Sequence, residues 1–505
     1  MTEQVLLVLT ILLPLAGAAG IVLIGDRPNL RESVTLITAV GLFGVNIALI
    51  SFVTGGGRPE VELVPFIAGA PIKLMAEPLG LLFGLIASGL WIVTSIYSIG
   101  YMRGHNEVNQ TRFYAYFAVA LAGAMGVAYA GNLITMFAFY EMLSLSTYPL
   151  VTHAGTEEAR RGGRTYIGIL IGTSIAFFLL AILWTWTSTG SMDFTPGGIL
   201  RGKMDPFPLA ILLGLFFFGI AKAGVMPFHR WLPAAMVAPT PVSALLHAVA
   251  VVKAGVFAIT KIAVYIFGVD LLAEMGTGRF LMYVAAATIV LALIVALRQD
   301  NLKRRLAYST ISQLAYIVLG AMMGHSLGII GGGMHIATHA LGKITLFFAA
   351  GAILVALHKT EVSQMRGIGR TMPLTMTFFL IGSLSISGLP PTGGLWSKWY
   401  LLMATLEIGD YILFAVLLLS SILSIGYLMP IVVRAFFSKP ETGGHGGVGA
   451  AVTDDEAGAR PVIREAPLFM LIAMAISSAG TIVLFFVPGP LARLVAQILP
   501  ELGGF

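Results

Sequence analysis

Apolar residues run in long stretches along this chain, and the polar residues collect in short gaps between them. Runs such as VLLVLTILLPLAGAAGIVLI near the start match the roughly 20 residues needed to cross a hydrocarbon core. The pattern predicts an all-α integral membrane protein of about fourteen transmembrane helices. They fall near 5–24, 34–52, 79–102, 113–129, 133–152, 165–187, 207–229, 240–267, 280–297, 308–323, 327–357, 373–405, 411–433 and 467–488. No gap is large enough for a soluble domain. The one sizeable hydrophilic segment, 438–465, holds GGHGGVGA and a short acidic run, and is expected to be a flexible loop.

Composition fits this reading. Of the 505 residues, 57% are hydrophobic and 11% charged. A soluble domain needs a larger charged surface, whereas a helical bundle in lipid does not. The net charge of +6 is read as basic loops on one side of a membrane, with no nucleic-acid partner expected. With fourteen spans, the odd-numbered loops hold nineteen Lys and Arg residues, among them Arg160, Arg161, Arg164, Lys303, Arg304 and Arg305. The even-numbered loops hold five: Arg58, Lys73, Arg201, Lys203 and Arg279. This bias places the odd loops in the cytoplasm and both termini outside, in the cell inner (plasma) membrane. The first run carries Glu3 instead of a basic leader region and is long enough to span, so it reads as a helix. There is no cysteine, which excludes thiolate-held iron–sulfur clusters, Cys–zinc sites and a cysteine nucleophile in this chain.

Two spans are interrupted. The seventh contains KAGVMPFHRWLP with Pro227, and the twelfth contains SISGLPPTGGLWSKW with Pro390 and Pro391. Proline removes a helix donor and clashes with the preceding turn. Broken helices in corresponding positions of two halves point to inverted repeats with a site at the breaks. The expected layout is three N-terminal helices (1–112), a first inverted five-helix repeat (113–268), a second (269–433), a cytoplasmic loop (434–466) and a last helix with tail (467–505).

Ionisable residues inside spans need a partner, a hydrated cavity or a neutral state. Glu141 lies mid-span in ITMFAFYEMLSLSTYPL, and Lys222 lies about one turn before Pro227. A salt bridge between them would explain both; a proton relay is the functional alternative. Lys253 is central in the eighth span, too deep to snorkel, and is read as a group that accepts and releases protons. Lys261, nearer the span end, is expected to snorkel to the interface. His335, His339 and Lys343 recur at i, i+4 and i+8, forming one polar stripe on an apolar helix. The HxxxH pair lacks a third ligand for zinc, and one helix stripe does not place haem ligands on opposite ring faces, so no metal or cofactor is expected. His247 does not share the Lys253 face and is a secondary candidate. Lys398 follows the double-proline break and is read as reaching a hydrated exit path; the alternative is a loop position.

These segments resemble the antiporter-like membrane subunits shared by Mrp-type Na⁺/H⁺ antiporters, respiratory complex I and membrane-bound hydrogenases. The resemblance rests on FYEMLSLSTYPL, AKAGVMPFHRWLPAAMVAPTPVSALLHAVAVVKAGVF, DNLKRRLAYSTISQLAYI, MHIATHALGKITLFF and SISGLPPTGGLWSKWYLL. It implies that Glu141 pairs with Lys222, that Lys253 is the central lysine, and that His335, His339 and Lys343 relay toward Lys398. Where the family often carries Asp-Ala-His after Trp-Leu-Pro, this chain has Ala234, Ala235 and Met236. The resemblance further implies an ion-translocating part of a multisubunit Mrp-type antiporter, similar to the D-type component of such complexes. Its partners would be other membrane subunits, membrane lipid and protons, with Na⁺ as a further ion. The alternative is a proton-pumping subunit of an NADH:quinone oxidoreductase or a membrane-bound hydrogenase, hence part of an enzyme. A stand-alone solute transporter would concentrate hydrogen-bonding groups at the breaks, whereas here titratable residues spread over many spans. A structural scaffold gives no reason for buried lysines.

Overall fold

In lipid, backbone N–H and C=O groups must be satisfied within the protein, which makes helix the form available to long apolar runs. The computed structural model describes residues 2–67, 70–438 and 462–499. Among the described residues, nine helices are long and apolar enough to cross a membrane, and two shorter apolar helices accompany them.

The chain opens with α1 (Glu3–Leu23), α2 (Pro28–Thr54), α3 (Pro78–Gly104), α4 (Gln110–Ala128) and α5 (Leu133–Val151). Then α6 (Glu157–Thr173) runs through a π turn into α7 (Leu180–Thr189), making one 33-residue rod. α8 (Pro206–Gly219) stops at the first break, followed by the short α9 (Trp231–Ala234). α10 (Thr240–Ala244) and α11 (Val251–Ile262) are joined by a π turn and form the next segment. The second half holds α12 (Val269–Glu274), α13 (Gly276–Arg298), α14 (Leu302–Met322), α15 (Ser326–Leu357) and α16 (Ile368–Thr371). α17 (Pro373–Ser387) stops at the second break, and α18 (Gly394–Glu407), α19 (Tyr411–Phe437), α20 (Leu468–Phe486) and α21 (Gly489–Ala496) complete the fold. The expected apolar segments fall on these helices. Most of the expected 438–465 loop lies outside the described residues.

One element departs from the expected loop between the second and third spans. β1 (Glu60–Ile67) and β2 (Ala70–Met75) pair antiparallel, with Glu62 opposite Lys73. The hairpin is tied down by Met75 N–H donating to the Tyr129 carbonyl at 2.7 Å and by a Lys73–Asp193 ion pair at 2.9 Å.

Both expected breaks are present. The first contains the single turn Ala221–Ala223 and the cis Met226–Pro227 bond, and the Ala221 carbonyl there accepts from both Gly224 N–H and Trp231 Nε1 at 2.9 Å. The second contains Gly388 and the cis Pro390–Pro391 bond, and Gly393 N–H donates to the Thr481 carbonyl at 2.8 Å. Protein groups thus satisfy unwound backbone, as a break at membrane depth requires. α11 is buried at every residue and lies against the first break, where Gly255 permits the contact: a Cβ there would collide with the backbone of Lys222 and Ala223.

Candidate functional site

The site is built where α15 meets α11, α14 and α18. The α15 stripe of His335, His339 and Lys343 is buried along its length. Across from it, Lys253 Nζ lies 2.6 Å from His339 Nδ1. An ammonium can only donate, so a charged Lys253 requires Nδ1 to be the acceptor. The His339 and His335 rings stack with centroids 5.7 Å apart. His335 Nδ1 is 2.8 Å from Ser397 Oγ, and the neighbour of Ser397 is Lys398. The Tyr316 ring stacks on His335 at 5.5 Å, and Lys398 Nζ lies 5.1 Å from the Tyr316 centroid. Lys253, His339, His335 and Lys398 therefore form one buried polar line. Lys398 belongs to α18 and is 4% exposed, so it is not a loop residue. Its stem passes Gly388, which has φ +79° and where a Cβ would meet Lys398 Cδ at 2.7 Å; glycine alone suits both the backbone and the space.

Lys343 leaves this line. Its Nζ donates to Ser309 Oγ at 2.5 Å and lies 3.3 Å from the Leu306 carbonyl, and Ser309 bonds the Tyr427 hydroxyl. The amine nonetheless interacts electrostatically with both Lys253 and Lys398, while its hydrogen bonds go to α14. Helical spacing carries Lys343 two turns past His335, to the level where α15 packs on the start of α14.

The first half forms a second cluster. Lys222 Nζ donates to the Tyr140 carbonyl at 2.9 Å and to Ser144 Oγ at 2.5 Å, and sits 3.1 Å from the Tyr140 ring centroid. Among the described residues, the expected Glu141–Lys222 salt bridge is not formed as a contact. Lys222 bears on the carboxylate electrostatically, Ser174 lies beside it as a side-chain donor, and both carboxylate oxygens are buried. Adjacent positions on a helix diverge by about 100°, so Tyr140 takes the lysine and Glu141 turns away. Glu141 borders an open apolar groove of about 700 Å³ with Phe137, Leu145, Ile167 and Ile175. The side chain of His247 lies outside the described residues.

Lys261 does not snorkel. It is fully buried and pairs with the fully buried Glu77 at 3.0 Å. Glu77 caps α3, accepting from Leu79 and Gly80 N–H at 2.7 and 2.8 Å, and accepts from the Tyr265 hydroxyl at 3.0 Å. Sequence reading passed over Glu77; its one local signal is an acidic residue just before a proline-led apolar run, the pattern of a helix start.

Comparison with known proteins agrees with this architecture. Residues 130–424 match the family model described as NADH:quinone oxidoreductase/Mrp antiporter, TM. The chain is 33% identical over 430 residues to the N subunit of NADH-quinone oxidoreductase from Desulforudis audaxviator, covering 83% of each protein. It is 26% identical over 499 residues to the D subunit of the Na(+)/H(+) antiporter from Alkalihalophilus pseudofirmus, covering 98% of this chain and 97% of that one. In fold it is similar to a chain of the Mrp complex from Dietzia sp., with TM-score 0.86, 22% identity and coverage of 99% and 97%. This multi-pass membrane protein belongs to the NADH:quinone oxidoreductase/Mrp antiporter membrane family.

Proposed function

We propose that this chain is the proton- and cation-translocating, D-like membrane component of a multisubunit Mrp-type monovalent cation/H⁺ antiporter. The observation that carries the reading is the buried line Lys253–His339–His335–Lys398, made of amines and imidazoles, side chains of the kind that exchange protons, and ending at a broken helix. End-to-end similarity to the D subunit of an antiporter supports the same choice. Protons are the moving species, Na⁺ the further ion, and other membrane subunits the partners. The setting is the inner (plasma) membrane, with both termini outside, as the loop charges imply.

The reading includes fourteen spans and two inverted repeats. Matched features of the two halves support them. Each break sets a lysine over a tyrosine ring, Lys222 over Tyr140 and Lys398 over Tyr316. Each half also has an asparagine that caps a helix and joins an isolated backbone bridge, Asn132 with Asp193 and Asn301 with Glu361.

Glu141 and Lys222 would load the first half, Lys253 would pass charge between halves, and Lys398 would release it; His335 and His339 bridge the gap. Lys343, with Ser309 and Tyr427, would exchange protons with the arginine-rich face. In sealed vesicles holding the assembled complex, Lys253→Ala is expected to leave assembly intact and abolish ion-driven proton movement. Wild-type transport by that variant removes Lys253 from the path.

The higher identity to a quinone oxidoreductase subunit favours a second reading, a proton-pumping subunit of such an enzyme or of a membrane-bound hydrogenase. With no cysteine in this chain, thiolate-held redox centres would sit in its partners. Proton movement driven by a Na⁺ gradient without an electron donor selects the antiporter; movement that needs the donor selects the enzyme.

A further inference from the structure

Lys253 and Lys261 both lie on α11, eight residues apart, so they share a face and are separated by about 12 Å along the axis. Midway on that face stands Phe257. Its ring lies 5.4 Å from Lys261 Nζ and packs on Phe83 of α3, centroids 5.1 Å apart. Beyond it comes the Lys261–Glu77 pair, then the Tyr265 hydroxyl on Glu77 at 3.0 Å. The Arg58 guanidinium lies 5.8 Å from the Tyr265 centroid, half-exposed at the foot of the hairpin, and its Nη1 is buried without a partner. Titratable groups therefore continue from the central lysine to the hairpin face, interrupted by one aromatic pair.

We infer that Glu77 and Lys261 form a second proton station, which connects Lys253 to the hairpin face and is gated by the Phe257–Phe83 pair. This rests on the translocation reading above and adds a branch to it. Both partners are fully buried and in direct hydrogen-bonding contact, the geometry a proton needs to pass between them. In the proposed step the proton crosses from Lys261 Nζ to the Glu77 carboxylate over their 3.0 Å contact, leaving both groups neutral. Glu77 then gives it up past Tyr265 and Arg58 to water and regains its charge. Neutral Lys261 takes the next proton from Lys253 when the Phe257 ring swings aside and water enters. Each cycle moves one proton outward and restores the pair. A closed apolar constriction blocks the step by staying dry.

The alternative is a static clamp, in which Glu77 only holds α3 to α11. The test uses the assembled complex in sealed vesicles. It measures ion-driven proton movement, and separately the passive proton leak under an imposed pH difference. Phe257→Ala is expected to raise the leak at least about tenfold by wetting the constriction. Adding Glu77→Gln and Lys261→Met to Phe257→Ala is expected to return the leak to the wild-type level. The paired replacement keeps the side-chain volumes and removes both charges together, which buried pairs tolerate far better than loss of one. Phe257→Trp, which keeps the plug, provides a second arm and is expected to stay tight. A Phe257→Ala leak at the wild-type level, or one that persists after the paired replacement, overturns the station. A wild-type complex that moves no protons removes the translocation reading and this inference together. An active complex whose leak ignores Phe257 removes this inference alone.

Discussion

A buried amine that must gain and lose a proton needs a partner that accepts hydrogen bonds without fixing its charge. Lys222, Lys343 and Lys398 donate to backbone carbonyls and serine hydroxyls, and Lys253 to an imidazole. These acceptors serve the charged and the neutral amine alike. Lys261 differs in that its partner is a carboxylate, which carries a charge of its own. Outside the spans, His153 follows α5 at the arginine-rich face, with both ring nitrogens buried and Nε2 3.9 Å from the Glu107 carboxylate. Burial holds its imidazole below the ordinary value of 6.5, Glu107 pulls it partly back up, and Arg112 adds to the fall. The sign follows from linkage: the unfolded chain takes up this proton as pH drops through 6.5 while the native chain resists, so stability is lost as pH falls below that value. The thermal midpoint of the purified protein should therefore drop between about pH 7.5 and about pH 5.5, and His153→Phe should remove part of that drop. An identical drop in the variant would mean that other groups carry it.

The breaks are the elements that turn a bundle into a device, and their packing tolerates little. Gly255→Leu should push α11 off the first break, costing about 1–3 kcal/mol by overpacking, and should abolish transport together with a lowered thermal midpoint. Gly44→Leu, on α2 where a Cβ meets nothing within 4 Å, should change neither. Equal effects at both positions would show that helix composition matters and the contact does not. The breaks were legible from Pro227, Pro390 and Pro391, because a missing donor is a local property. The stripe on α15 was legible for the same reason, since helical period alone sets it. What the period leaves open is what each residue faces. Lys343 shares the stripe, yet bonds Ser309 because α14 crosses at that level. Lys261 was misread because snorkelling is judged from distance to a span end, while its partner Glu77 lies far away in sequence. The hairpin too carries a signal, the alternating EVEL and PIKL of residues 60–63 and 71–74, but it is short beside the long apolar runs that flank it.

Across the whole molecule, the polar groups fall into two bodies of unequal completeness. The line from Lys253 to Lys398 is closed within the chain, whereas Glu141 lines an open apolar groove, with Ser174 and Lys222 as the groups acting on its carboxylate. An ionised carboxylate bordering lipid is costly, and such groups are found facing protein or water. The proposed assembly resolves this if a neighbouring membrane subunit covers the groove and supplies a donor or a cation. Because the chain has no cysteine, Glu141→Cys would give it a single thiol. That thiol should react with a membrane-permeant maleimide in the separated chain and be protected in the intact complex obtained by gentle extraction. Equal labelling in both states would put the subunit contact on another face and leave Glu141 to be balanced from within by Lys222. Protection that disappears when one particular subunit is removed would identify the neighbour that completes the first half.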